Sequence, residues 1–224
     1  MARRFYSADF HLGFESLLEI EKWPFESIEG HDAALLASCG EAKAGDVIVH
    51  LGDLASYGAD RHSAGPAGRG LYVSPMKLVE GLPAAFFNVR GNHDASNRVK
   101  SVADSLQTHL GRRFPQVTMG HYPSYDKRAR DYVRRGWINV CGHVHSAWRH
   151  CLDLDRQVLN VNVGCMAWGF RIVPEEELAL YISRVLSHRP DKICRCRRDG
   201  GRTVFYPAAP GVEEETTGKD REEA

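Results

Sequence analysis

The chain has 224 residues, 43% of them hydrophobic and 26% charged, with 29 Lys+Arg against 29 Asp+Glu. That length buries roughly 70% of the surface an unfolded chain exposes, enough for a core without disulfide staples, and the composition excludes a wholly disordered or fibrous chain. Zero net charge excludes a global basic field for gripping nucleic acid, and no apolar run approaches the ~20 residues that span a bilayer.

In chain order, the basic start at Arg3-Arg4 is followed by no apolar signal core, so a cytoplasmic protein without a membrane partner is expected. Arg4–Ala8 reads as a buried strand that runs into Asp9-Phe10-His11. A helix is predicted over Ile28–Ala44, where Ala33, Leu36, Ala37 and Ala44 recur at helical spacing. Val47–Leu51 is the next strand, ending in Gly52-Asp53. The glycines of Tyr57–Gly70 mark a long loop, expected at the rim of whatever Asp53 serves, with Arg61, His62 and Arg69 in reach of a phosphate. A helix over Val73–Glu80 leads to a strand at Ala85–Val89, which ends in Gly91-Asn92-His93-Asp94.

The spacing then predicts a helix over Asn97–Leu110, a strand at Gln116–Met119 ending in Gly120-His121, and a helix over Ser124–Arg135. The cations of that last helix, Lys127, Arg128, Arg130, Arg134 and Arg135, read as an exposed face. Ile138–Cys141 is a strand ending in Gly142-His143-Val144-His145, and Val158–Val163 is another. Pro174 and three glutamates open a helix to Ser187, a start that suits the positive end of the helix dipole. After Arg189 the periodicity stops: Arg189–Arg202 is basic and Val212–Ala224 acidic. Residues 1–188 are therefore read as one domain and 189–224 as a disordered charged tail, with Thr203–Tyr206 a candidate edge strand. Strands alternating with helices indicate an α/β layered domain with a mostly parallel sheet.

The six cysteines form no C-x-x-C pair; Cys141 and Cys165 read as buried free thiols, and Cys194 with Cys196 lacks a nearby partner for a metal. The histidines say more. Five of them, His11, His93, His121, His143 and His145, stand at strand ends beside Asp, Asn or Gly. Ligands of layered α/β folds bind outside the carboxyl ends of the strands. Residues i and i+2 of an extended segment share a face, so Asp9 can join His11, and His143 can join His145. Mixed imidazole and carboxylate donors suit Mn, Fe or Zn better than Mg or Ca. A pair of metals ~3.5–4 Å apart needs a bridging ligand, for which Asp53 is the natural candidate. Each motif alone is weak, since Gly-Asp or Gly-Asn after a strand is usually a turn; five in this order are not.

The series Asp9-x-His11, Gly52-Asp53, Gly91-Asn92-His93-Asp94, Gly120-His121, Gly142-His143-x-His145 resembles the calcineurin-like metallophosphoesterase superfamily over Phe5 to about Leu186. Arg90 before Gly91, and Asn160–Val163 followed by Ile172–Glu176, resemble its small bacterial and phage members in particular. The resemblance implies a four-layer α-β-β-α sandwich of two mixed sheets flanked by helices, where periodicity alone suggests a single doubly wound sheet. It implies a metal-dependent phosphoric ester hydrolase in which Asp9, His11, Asp53 and His145 hold one divalent transition metal ion and Asp53, Asn92, His121 and His143 a second. Manganese is the first expectation, with Fe, Zn or Ni as alternatives. It further implies that His93 faces the scissile phosphate, that Asp94 orients His93, and that a metal-bridging hydroxide attacks a phosphomonoester or phosphodiester in line. The departure is Gly13-Phe14, where many small relatives carry Gly-His or Gly-Asn, so substrate contact from this position is in question. A small phosphoester or nucleotide is the expected substrate; a nuclease with the same core is the alternative, less favoured at zero net charge, and a non-catalytic metal-site scaffold comes last.

Overall fold

All six apolar runs read as strands are strands in the computed structural model, which describes residues 2–55, 75–97, 99–188 and 193–207. The long loop at Tyr57–Gly70 and the chain beyond residue 207 lie outside the described residues. The strands form two mixed sheets rather than one doubly wound sheet. The first is parallel through β1 (Arg4–Ser7), β2 (Val47–His50) and β3 (Ala85–Asn88), with the two residues of β9 (Val173–Pro174) antiparallel on the far side of β1. The second has seven strands in the order β11-β10-β7-β8-β6-β5-β4. These are β4 (Ser105–Leu110), β5 (Phe114–Gly120), β6 (Ile138–Cys141), β7 (His150–Asp153), β8 (Val158–Asn162), β10 (Arg195–Asp199) and β11 (Arg202–Tyr206).

Strand alternation sorts the core into layers. Tyr6 and Val49 share the inter-sheet core with Val117, Met119, Val140, Leu159 and Val161, while their neighbours Phe5 and Ile48 face the other way, onto Leu35, Cys39 and Val79 of the helices. Helix α2 (Ile28–Cys39) starts where the Ser27 hydroxyl accepts from Gly30 N, a standard N-cap. Its buried face is Ile28, His31, Leu35 and Cys39, one helical stripe away from the alanines that suggested it; Ala33 and Ala37 are exposed. Helix α1 (Ser16–Ile20) and α3 (Pro75–Glu80) are short. The expected C-terminal helix is α4 (Glu175–Ser187), which buries Leu178, Ile182 and Val185; Glu175 accepts from Arg4 and the Tyr6 hydroxyl, tying its first turn to β1.

Three expectations fail for local reasons. Asn97–Leu110 is not a helix: Leu106, Thr108 and Leu110 turn to one side in β4, which pairs antiparallel with β5 across a turn at Gly111. Ser124–Arg135 is an irregular segment with a single 3-10 turn at Lys127–Ala129, capped by the Asp126 carboxylate. The Arg156 guanidinium donates to the carbonyls of Ser124 and Val133, fixing the segment over the outer face of the second sheet. Chain after Arg189 is not all tail: β10 and β11 form a hairpin, β10 joins β7 in parallel, and Ile193 and Cys196 are buried. Cys194 and Cys196 thereby meet a third thiol, Cys151, within hydrogen-bonding reach of both, and all six cysteines are free. No helix among the described residues is long and apolar enough to cross a membrane.

Candidate metal centre

The two sheets meet at the carboxyl ends of their parallel strands, where β1, β2, β3, β5 and β6 deliver the five motifs. Backbone hydrogen bonds lace these ends together: Asp9 N to Gly52 O (3.0 Å), His11 N to Asp53 O (3.0 Å), Gly142 N to His121 O (3.1 Å) and Cys165 N to Ala8 O (2.9 Å). Five residues there, Asp9, His11, Asp53, His143 and His145, hold positive φ between 46° and 71°. Left-handed backbone costs a non-glycine residue energy and survives only where its surroundings over-determine it, so strain gathered at one point marks a functional site. Close approach explains two glycines. A Cβ on Gly91 would lie 2.2 Å from Asp53 Oδ1, and one on Gly142 would lie 2.6 Å from Asp9 Oδ2.

Asp53 is at the centre. Its Oδ2 lies 3.3 Å from His121 Nε2, 3.8 Å from His11 Nε2 and 3.9 Å from His93 Nε2, and its Oδ1 accepts from His93 N at 2.8 Å. Three groups have donor atoms close enough to share an ion: Asp9 with His11 and His145, Asp53 with His11 and His93, and Asp53 with His121 and His143. Asn92 Oδ1 is 3.1 Å from His121 Nε2. The motif residues Asp9, His11, Asp53, Asn92, His93, His121, His143 and His145 therefore fall in one cluster, with Asp94 just behind it; Arg61, His62 and Arg69 lie outside the described residues.

The far sides of two of these rings are anchored. His121 Nδ1 donates to the Leu51 carbonyl (2.8 Å), which aims Nε2 at Asn92 and Asp53. His145 Nδ1 donates to Glu21 Oε1 (2.9 Å), which leaves its Nε2 facing His11 Nε2 at 3.2 Å. Metal-bound histidines are characteristically held this way. Two ring nitrogens face to face beside the buried Asp9 carboxylate form a donor set that calls for a cation. His11 Nδ1, buried without a hydrogen-bond partner, accords with a ring placed by its other nitrogen. Asp94 is a brace: its carboxylate accepts from Leu54 N (3.0 Å), Asp53 N (3.2 Å), Asn88 Nδ2 (2.9 Å) and Gly91 N (2.7 Å), a loop-holding duty that its place beside His93 did not suggest.

Burial and charge set the protonation states. Burial lowers His11 well below the ordinary histidine range and, with the charges of His121 and Arg128, brings His143 down to about 4. Burial pushes Asp9 up to about 6, against the attraction of His121 and His145. For Asp53 burial acts upward too, but the hydrogen bond and charge of His121 outweigh it and hold the carboxyl well below the usual range. His121 responds in kind: burial is overcome by Asp53, and the ring rises to about 9.

A family model described as calcineurin-like phosphoesterase matches residues 7–150. The chain belongs to that family. Among curated proteins, Gene 66 protein of Mycobacterium phage L5 is 25% identical over 205 residues, spanning 80% of this chain and 93% of that protein. Among solved structures, a protein of unknown function from Aquifex aeolicus superposes with a TM-score of 0.57 at 17% identity, covering 81% of this chain and 100% of that one. The phosphoesterase Yfce from E. coli gives a TM-score of 0.38 at 18% identity, over 71% of this chain and 78% of that one. This calcineurin-like phosphoesterase chain carries further site residues that its motifs do not include. Glu21, at the end of α1, holds His145. Arg128 lies on the 3-10 turn, not on an exposed helix face: its guanidinium rests 3.9 Å from the Tyr122 ring and donates to His143 Nε2 at 3.1 Å. Phe14 sets its ring 6.3 Å from that of His93, an apolar neighbour at the position whose substrate contact was in question.

Proposed function

We propose that this chain is a binuclear metal-dependent phosphoesterase that hydrolyses a small phosphoester or nucleotide. The observation that carries the reading is the position of Asp53, whose Oδ2 belongs to two of the three donor groups and so suits a bridge. Asp9, His11, Asp53 and His145 would hold one ion, and Asp53, Asn92, His121 and His143 the other, with manganese first among the candidates for this mixed donor set. Divalent ions bound there would neutralise the phosphate and activate water for attack at neutral pH.

The protein's own residues do the rest. Glu21 and the Leu51 carbonyl fix two imidazoles before substrate arrives, so little reorganisation is left to the reaction. Asp94 fixes the loop that carries Asp53. His93 is the reacting group proposed to face the ester: its side chain is 38% exposed while Asp53 beside it is 1% exposed, so the ring stands between the buried carboxylate and solvent. From there it would hold a proton for the leaving oxygen. Phe14, beside it, would exclude water from that side. The reading is tested with bis(p-nitrophenyl) phosphate and p-nitrophenyl phosphate. Chelator should abolish hydrolysis and Mn should restore it; hydrolysis untouched by chelation contradicts the proposal.

A further inference from the structure

Four arginines and two aromatics crowd the C-terminal hairpin, which the phosphoesterase reading leaves without a purpose. Arg195, Arg197, Arg198 and Arg202 stand in β10 and β11, with Asp199 on β10 and Asp155 3.7 Å from Arg197. Val204, Phe205 and Tyr206 are 36%, 46% and 40% exposed on β11, the outermost strand of its sheet. Edge strands commonly carry charge to prevent aggregation, but that role does not call for exposed aromatic rings. Register puts Phe205 opposite Cys196 and Thr203 opposite Arg198, so Phe205 and Arg198 share a face.

That face leads toward the candidate metal centre through a series of contacts. Phe205 meets Tyr125 edge-on at 5.6 Å, and Arg198 reaches the Tyr125 carbonyl at 3.5 Å. Beyond Tyr125 on the same segment, Arg128, held by Asp126 at 2.7 Å, covers the Tyr122 ring at 3.9 Å, and Tyr122 lies 5.0 Å from the His143 ring. Rings and guanidinium groups thus alternate from the sheet edge to a candidate metal ligand. From this geometry we infer that Phe205, Arg198, Tyr125, Arg128 and Tyr122 form a binding track for single-stranded nucleic acid, which delivers a phosphodiester to the metal centre. The inference rests on the phosphoesterase reading for its final step, and it goes beyond a small phosphoester by adding an oligonucleotide as substrate. Bases stack on aromatic faces without regard to sequence, while guanidinium groups pair with backbone phosphates. The zero net charge of the whole chain does not weigh against a track whose cations are local. A second copy pairing along β11 is the competing occupant; β11 itself carries one arginine, Arg202, and sedimentation separates the two occupants.

The test is fluorescence anisotropy of a labelled 20-nucleotide oligo-dT with the full chain in EDTA, where no hydrolysis intervenes. Phe205→Ala should weaken binding about 5- to 150-fold, the span of one lost base stack. Arg198→Ala should weaken it and lower the salt slope by about 0.7, the value for one phosphate of a single strand. Arg198→Glu should weaken it more than Arg198→Ala. Arg112→Ala, an exposed arginine removed at the β4–β5 turn on the opposite edge of the sheet, should bind like the unaltered protein. The track is overturned if the unaltered protein does not bind the oligonucleotide, or if the Phe205 and Arg198 variants, folded by circular dichroism, bind as it does. It is equally overturned if sedimentation shows a dimer that Phe205→Ala dissolves. Failure of the Mn-loaded protein to hydrolyse bis(p-nitrophenyl) phosphate would instead strike the phosphoesterase reading; oligonucleotide binding in EDTA is measured independently of it.

Discussion

The metal centre and the C-terminal hairpin belong to one fold and are built in opposite ways. At the strand ends, Asp9, His121 and Asp53 are at most 1% exposed, five non-glycine residues hold left-handed backbone, and Gly91 has no room for a methyl group. At the sheet edge, the hairpin turns on Gly200-Gly201 in open space, and β10 registers with β7 at only two residue pairs. Strain is tolerated where many contacts enforce it. The difference teaches that the candidate centre is specified by backbone and packing together, whereas the edge is held by a short parallel pairing and two buried side chains, Ile193 and Cys196.

The largest expected effect breaks the crowded side of that comparison. Gly91→Ala forces a methyl group into Asp53 and should abolish metal binding, read by metal analysis after reconstitution; Gly201→Ala meets open space and should cost only the ~1 kcal/mol of left-handed strain. Equal effects from the two would erase the distinction. Next is His93→Asn, which should lose roughly 10²–10⁴ in turnover while metal content stays whole. The loss should shrink for an activated phenol leaving group, and a variant that loses an ion instead would make His93 a ligand. Glu21→Ala should weaken metal binding ~10–100-fold by freeing the far nitrogen of His145, an effect visible by calorimetry without any substrate. The same titrations should show pH dependence. Without metal, burial holds Asp9 protonated until about 6 and Asp53 holds His121 protonated until about 9, so ions must displace protons and affinity should fall as pH drops from 9 to 6. Affinity flat across that range would show that these protons are absent. The smallest effect belongs to the edge. Truncation after His188 exposes the pocket of Ile193 and should lower the melting temperature by about 4–8 °C, for roughly 2 kcal/mol of lost burial, with metal content unchanged.

The same contrast governs what the sequence made legible. The residues proposed to hold metal were readable as a group because each stands at the end of an apolar strand beside Gly, Asp or Asn, a pattern in which local signal and tertiary position coincide. Glu21 was not, because its partner His145 lies 124 residues away and nothing near Glu21 in the chain marks it. Arg128 misled for a related reason: its basic neighbours suggested an exposed helix, while the carbonyls of Ser124 and Val133 bond to Arg156 from a distant turn. In β4 the alternation of Leu106, Thr108 and Leu110 was present but competed with a helical reading of the same apolar residues. Periodicity could not separate two sheets from one, since a buried parallel strand looks alike in both; only the family resemblance supplied that layer. Half of the hairpin was legible, since Thr203–Tyr206 read as a candidate edge strand and falls in β11; β10 was not, because arginines dominate it and pairing with β7, rather than any apolar run, orders it.

The most direct measurement is the manganese stoichiometry of the reconstituted chain and of its Asp53→Asn variant, by metal analysis and by electron paramagnetic resonance. An Asp53 bridge predicts two ions per chain with the exchange-coupled spectrum of a close pair, and loss of that coupling with at least one ion in the variant. One ion or fewer in the unaltered chain, or a coupled pair that survives Asp53→Asn, would contradict it.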